Sequence, residues 1–196
     1  MSGRRVRGRV GVLAAAATAA LLVVVLLLLP WGLGRARAEL LEVRQVAGGM
    51  ECPECARGLR LLVKQIAGVE DAATSWNRRV LTVRFQPGSR ATLAQVRAAV
   101  TRQHFQAREA EIVVAGRLSL DGAGRAWLRV PESELSYRLD LSGREAGWRR
   151  ALDELSGAQV IITGRVPGSA HAEDPLVLFP VDVQRAPRPR AQRMPG

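Results

Sequence analysis

The residues best suited to chemistry are Cys52 and Cys55, which are the only cysteines of the 196-residue chain. They lie three residues apart in the stretch 49-GMECPECARGL-59, with Pro53 and Glu54 between them. Three kinds of site use such a pair: a redox-active disulfide, half of a structural zinc site, or a two-thiolate site for a soft metal ion. The choice depends on the secondary structure that carries the two sulfurs.

The cysteines are predicted to lie at the start of a helix. From Pro53 to Ala67 apolar residues recur at helical spacing, Pro53 suits the first turn, and Gly68 suits the C-terminal stop. Cys52 then lies in the loop before the helix and Cys55 in its first turn, so both sulfurs can point at one spot. The unpaired N–H groups and the partial positive charge of a helix N-terminus favour thiolate over thiol.

Two thiolates without further cysteines suit a soft ion at low coordination number, such as Cu(I), Ag(I) or Hg(II). Zn(II) prefers four ligands, and the chain adds only two histidines, His104 and His171, neither at zinc-finger spacing. Cu(I) or Hg(II) is therefore the predicted ion, and Zn(II) is less favoured. Met50 and His104 are candidate accessory ligands, weighed against a core methionine and a solvent-facing histidine.

The stretch Gly49-Met50-Glu51-Cys52-Pro53-Glu54-Cys55 resembles the GMxCxxC motif of the heavy-metal-associated domain family. That family includes copper chaperones, the N-terminal modules of metal-pumping ATPases and the periplasmic mercuric-ion binding protein. The similarity covers about residues 41–112 and continues through Leu59, Val63, Ile66, Gly68-Val69 and Phe105. It implies a role as a metal-binding protein and not as an enzyme. It also implies transfer of the ion, through a three-coordinate intermediate, to a metal transporter or acceptor protein in the envelope.

The predicted fold class is α+β. Strand and helix patterns over residues 39–112 predict the order β-α-β-β-α-β, a ferredoxin-like sandwich whose second helix opens at a capping box formed by Thr92 and Gln95. Five short strand-like runs over residues 113–184, with one amphipathic helix between the third and the fourth, predict a small OB-like β-barrel. The Pro- and Arg-rich residues 185–196 are predicted to be a disordered tail.

An uncharged apolar run from Val10 to Gly34 predicts a transmembrane helix within an N-terminal segment of residues 1–38. Four arginines before the run outnumber the two that follow it, so the folded part is predicted to be extracytoplasmic. A single-pass anchor in the cell membrane is favoured. Cleavage after Ala36-Arg37-Ala38 would instead give a secreted or periplasmic protein.

The formal charge of +11 lies mainly in the two ends of the chain. Residues 1–40 contribute +5 and residues 185–196 contribute +4, whereas residues 41–184 hold 19 basic and 17 acidic side chains. A body without a basic stripe lacks the phosphate-neutralising surface that nucleic-acid binding requires. Nucleic acid is therefore not expected as a partner.

Two other functions stay open as alternatives. Cys52-Pro53-Glu54-Cys55 also matches the C-P-x-C of thiol-disulfide oxidoreductases, although only one short strand precedes it and the following elements do not continue a thioredoxin-like fold. The barrel could instead act in docking, with Trp127, Tyr137 and Trp148 as a stacking face. A metal pump is excluded by size, and no nucleophile-elbow or paired-carboxylate pattern supports hydrolysis.

Overall fold

The structure, a computed structural model, describes residues 39–130, 135–142, 145–168 and 176–187. These residues belong to one compact unit, which begins at Ala36. Their strands are β1 (Glu39–Gly48), β2 (Val69–Ser75), β3 (Val80–Phe85), β4 (Gln106–Leu120), β5 (Ala126–Arg129), β6 (Ser136–Leu139), β7 (Gln159–Val166) and β8 (Leu176–Arg185). Their helices are α1 (Pro53–Val63), α2 (Leu93–Arg102) and α3 (Glu145–Glu154).

The first four strands form an antiparallel sheet in the order β2-β3-β1-β4. α1 and α2 contact each other, and they pack against β2 and against β1 and β4, respectively. The strand residues in the core include Val43, Leu81, Val83 and Ile112, all fully buried. The predicted β-α-β-β-α-β order is therefore present. It places the β1–α1 loop, the β2–β3 turn and the α2–β4 loop at one end of this sheet.

Both helices of this half begin as their sequences predict. At the start of α2, the Gln95 N–H donates to Oγ1 of Thr92 at 3.3 Å, and the Thr92 N–H donates to Oε1 of Gln95 at 2.9 Å. This reciprocal pair is the predicted capping box. In α1, Ala56, Leu59 and Val63 recur at helical spacing and are buried, so the opposite face of the helix is left to solvent.

The remaining strands close a ring. β4 pairs with β1 and then with β5 along one edge, and with β7 along the other. β5 pairs with β6, β6 pairs in parallel with β8, and β8 pairs with β7, so β4 to β8 form a five-stranded barrel. Gly116 of β4 lets the backbone of β5 approach closely, because a Cβ at this position would lie 2.8 Å from the carbonyl oxygen of Arg129.

The predicted fold class, an N-terminal transmembrane helix followed by a ferredoxin-like sandwich and then a small OB-like β-barrel, is wrong in its transmembrane helix and in treating the sandwich and the barrel as successive units. The described strands form a single eight-stranded sheet. The physical reason is β4, whose 15 residues cross the predicted boundary between residues 112 and 113 and hydrogen-bond to strands on both sides of it. The predicted domain ranges 39–112 and 113–184 stay a prediction. Residues 188–196 of the predicted tail lie outside the described residues.

The predicted transmembrane helix is also corrected. Within the described ranges, no helix is long and apolar enough to cross a membrane. α1 has 11 residues and α2 and α3 have 10 each, whereas a span needs about 20. The run from Val10 to Gly34 on which the prediction rested lies outside the described residues. The predicted location in the cell membrane, with an extracytoplasmic body and a membrane partner, depended on that helix and is not supported.

A buried polar cluster joins α2 to the barrel. Arg97 is only 4% exposed, and its guanidinium donates to Oε1 of Gln45 at 3.3 Å and to the carbonyl oxygens of Val166 at 3.3 Å and Pro167 at 2.8 Å. Gln45, fully buried on β1, donates in turn to three backbone carbonyl oxygens of β1 and β4. The cluster therefore fixes α2 against β1, β4 and the end of β7.

Candidate functional site

Cys52 and Cys55 lie where β1 gives way to α1. Cys52 is the N-cap of α1 with an extended backbone, Pro53 takes the first helical position, and Cys55 lies in the first turn. The two Cα atoms are 5.2 Å apart, and the sulfurs are joined in a disulfide. Both residues are partly exposed. The structure thus brings the two predicted metal ligands together at an accessible place.

The N-terminus of α1 supplies hydrogen-bond donors to Cys52. The N–H of Cys55 donates to Sγ of Cys52 at 3.0 Å, and the N–H of Ala56 donates to the carbonyl oxygen of Cys52 at 3.1 Å. The remaining N–H groups of a helix start and its partial positive charge favour an anion at this position. The same site that caps the helix therefore stabilises a sulfur anion once the disulfide is reduced.

The donor set is small and soft. Because the two Cα atoms are 5.2 Å apart across the start of α1, both side chains can be directed at one ion after reduction. Across the described ranges, no group of three or more His, Cys, Asp or Glu side chains converges on a common point. Two thiolates without further strong donors fit an ion that is satisfied by two sulfur ligands, as soft monovalent and divalent ions are.

The loop that precedes Cys52 has one residue buried in the core, Met50, and another near Phe105, Gly49. Gly49 has a φ of +88°, a left-handed conformation that favours glycine, and a Cβ there would lie 3.9 Å from Cδ1 of Phe105. Met50 is fully buried in the core beneath the loop. Its thioether therefore fills core volume in the disulfide form, and its role as an accessory ligand stays a prediction.

Arg79, in the β2–β3 turn, supports the loop from the other side. Its carbonyl oxygen accepts the Ala47 N–H at 2.8 Å, and its guanidinium lies 3.6 Å from Oε1 of Glu51. Arg79 also has a φ of +56°, which is unusual for a residue other than glycine. The sequence prediction missed this residue because the arginine side chain carries no signal of a left-handed backbone or of a partner 28 positions away.

His104 occupies the α2–β4 loop at the same end of the sheet. Its side chain is exposed, and its φ of +61° places it in the left-handed region. His104 follows the last turn of α2 and precedes Phe105, whose ring lies near Gly49 of the cysteine loop. Whether His104 adds a third donor stays a prediction, and His171 lies outside the described residues.

Comparisons with known proteins find similar solved structures but no matching family. No protein-family model and no curated protein matches the sequence. The yeast copper transporter domain CCC2A, solved in the apo and Cu(I)-loaded states, is 18% identical over 33% of this chain and 88% of that one, with a TM-score of 0.31. A copper-binding domain from HMA7, a P-type ATPase, is 19% identical over 37% of this chain and 92% of that one, with a TM-score of 0.32.

A third similar structure is the copper-ion-binding protein from Bacillus anthracis str. Ames. It is 24% identical over 36% of this chain and 94% of that one, with a TM-score of 0.30. All three similarities cover about a third of the chain at TM-scores near 0.3. They carry no argument about function, so the assignment of this site rests on the geometry of the cysteine pair.

Proposed function

We propose that this chain binds one soft metal ion, Cu(I) foremost, between the thiolates of Cys52 and Cys55. The observation that carries the proposal is the convergence of both sulfurs at the exposed N-terminus of α1. Hydrogen-bond donors and the helix dipole favour sulfur anions there. Thiolates are the ligands that Cu(I) prefers, and two of them suffice for it. Hg(II) meets the same requirements, whereas Zn(II) needs ligands beyond this pair.

The proposed role is to hold the ion and pass it on, without catalytic turnover. Because both cysteines are partly exposed, an incoming thiolate of a partner protein can reach the ion while both sulfurs still bind it. The ion then passes through a three-coordinate state, and one chain thiolate leaves as each partner thiolate arrives. A partner of this kind is a metal transporter or acceptor protein that carries its own cysteine pair.

The disulfide determines when the ion can bind. In the structure the two sulfurs share a bond and have no thiolate to offer. Metal binding therefore requires reduction of the disulfide by two electrons, which a dithiol reductant supplies while it becomes a disulfide itself. The same bond favours a second candidate function, thiol-disulfide exchange, in which this reversible oxidation is the activity.

The metal proposal is tested on the full chain, reduced and handled without oxygen, by competition for Cu(I) against a chromophoric chelator. We expect one Cu(I) per chain. Cys52→Ser and Cys55→Ser should each weaken binding by several orders of magnitude, because a lone thiolate lacks the second sulfur. Glu54→Gln is the matched control, since it lies between the cysteines on the same helical turn and supplies no soft donor. One tightly bound Cu(I) in the double Ser variant would end the proposal.

The second candidate is separated from the first by an assay that contains no metal. If the pair acts in thiol-disulfide exchange, the chain should reduce a disulfide substrate such as insulin repeatedly at the expense of dithiothreitol. If it acts in metal transfer, that rate should stay near that of dithiothreitol alone, while tight Cu(I) binding is retained. Fast turnover together with weak Cu(I) binding would favour the exchange function.

A further inference from the structure

A cavity lies in the barrel half, between the end of β7, the middle of β8 and α3. It has a volume of about 510 Å³, and its lining includes Trp148, Phe179, Val181, Glu109, Asp140 and Arg165. None of these residues contributes to the cysteine site. The volume is within the range of about 300–1,000 Å³ that is typical of sites for small molecules.

The floor of this cavity is apolar and open to solvent. Phe179 and Val181 are 38% and 40% exposed, and they are two of the four large hydrophobic residues that are exposed within the described ranges. They lie two positions apart on β8, so their side chains are on the same face of the strand. Trp148 of α3 is partly buried and lines the same cavity. Phe179, Val181 and Trp148 together give the cavity an apolar wall.

The polar part of the lining carries two carboxylates and one guanidinium. Oδ1 of Asp140 accepts two hydrogen bonds from Ser142, one from its backbone N–H at 2.9 Å and one from its hydroxyl. Oδ2 of Asp140 has no hydrogen bond among the described residues. The hydrogen bond from the Ser142 hydroxyl contributes most, and with the one from the backbone N–H it lowers the pKa of Asp140. The carboxyl group is therefore ionised at neutral pH. Within the described ranges the side chains of Glu109 and Arg165 form no ion pair with each other or with any other residue.

We propose that this cavity binds a small amphiphilic molecule with an apolar body and a primary ammonium group. The body packs on Trp148, Phe179 and Val181, and the ammonium donates to the carboxylates of Asp140 and Glu109. Among the lining residues there are two carboxylates and one guanidinium, and Arg138 lies outside the lining although its charge also acts on Asp140. The preference for a cation over an anion therefore rests on the carboxylate oxygens of Asp140 and Glu109 that have no hydrogen-bond or ion-pair partner among the described residues. Glu109 and Arg165 line both this cavity and a second one, so they lie at the wall that the two cavities share.

Three fluorescent probes that share one apolar ring system test the proposal on the full chain. Dansylcadaverine carries a primary ammonium, dansylamide is neutral, and dansylglycine carries a carboxylate. We expect dansylcadaverine to bind saturably at one site, about tenfold more tightly than dansylamide, since a charge-assisted hydrogen bond changes affinity by about that factor. Dansylglycine should bind more weakly than dansylamide. Absence of saturable dansylcadaverine binding, or equal affinity for the cationic and the anionic probe, would overturn the proposal.

Matched variants locate the site. Asp140→Asn should weaken dansylcadaverine about tenfold and leave dansylamide within twofold, whereas Asp153→Asn, an exposed carboxylate of α3 outside the lining, should change neither. Phe179→Ala should weaken all three probes severalfold, and Leu61→Ala, an exposed apolar residue of α1, should have no effect. Binding that survives both Asp140→Asn and Phe179→Ala in folded protein would assign the probes to another surface.

Discussion

Replacing Arg97 with methionine tests whether the cysteine half and the barrel are one cooperative unit. Methionine keeps most of the aliphatic volume and removes the guanidinium. In the variant the carbonyl oxygens of Val166 and Pro167 and the Oε1 of Gln45 lose their donor inside the protein. Because these three acceptors belong to β1 and to the end of β7, the loss affects the contact between the halves more than either half alone.

The size of the effect follows from the three hydrogen bonds. Hydrogen bonds to a charged group contribute about 1.5–3 kcal/mol each, and a buried acceptor left without a donor costs about 1–3 kcal/mol. Burial lowers the pKa of Arg97, which shows that desolvation opposes the charged guanidinium and offsets part of this gain. We therefore expect Arg97→Met to lower the free energy of unfolding by about 3 kcal/mol, within the range for breaking a buried polar network.

Urea unfolding of the full chain measures this loss at two places. Variants that retain either Trp76, in the β2–β3 turn, or Trp127, in β5, as the only tryptophan report on the cysteine half and on the barrel. If the halves unfold together, both signals share one midpoint, and Arg97→Met lowers it by about 1.5 M at a slope of about 2 kcal/mol per M. Arg102→Met, at the exposed end of the same helix, should cost less than about 1 kcal/mol. Separate midpoints for Trp76 and Trp127 in the two single-tryptophan proteins that keep Arg97 would refute cooperative unfolding.

Two further predictions concern the barrel. Burial raises the pKa of Tyr137 to about 12; its protonated phenol therefore stabilises the fold below pH 10, and this contribution of about 3 kcal/mol is lost as pH rises from 10 to 12. Tyr137 is the only tyrosine, so phenolate absorbance at 295 nm follows it alone, and stability in Tyr137→Phe should decline less steeply over that range. Gly116→Ala should destabilise by about 1–3 kcal/mol, because the new Cβ would lie 2.8 Å from the carbonyl oxygen of Arg129. Gly122→Ala, with no atom within 4 Å of the added Cβ, should stay within about 0.5 kcal/mol in thermal unfolding; equal losses in both glycine variants would contradict this explanation.

Local chemistry made several elements predictable. The helical spacing after Pro53 and the reciprocal side chains of Thr92 and Gln95 act within one or two turns, so α1 and α2 begin where the sequence indicates. The alternation of apolar residues after residue 112 likewise marks the five strands of the barrel. The cysteine pair was predictable for the same reason, because a spacing of three residues across a helix start brings two side chains together in almost any fold.

Long-range pairing was not predictable from these patterns. An alternating strand such as β4 shows which side chains face inward but not which strands lie on its two edges, and the shared use of β4 is what made the predicted fold class wrong. Arg97 shows the same limit. It falls between Val96 and Val100 on a helix whose arginines are expected at the surface, yet it is buried because carbonyl acceptors from the end of β7 meet it there.

The dependence of the cysteine site on distant residues follows from these same contacts. Cys52 follows a loop that Arg79 supports from the β2–β3 turn, and Phe105, just before β4, lies near Gly49 of the same loop. Phe105 follows α2, and α2 is fixed by Arg97 to the last residues of β7. Each support joins residues that are far apart in the sequence, whereas the two sulfurs need only the first turn of α1. For the proposed function, the spacing of the cysteines supplies the two ligands, and the contacts made by the rest of the sheet determine how rigidly the loop holds them.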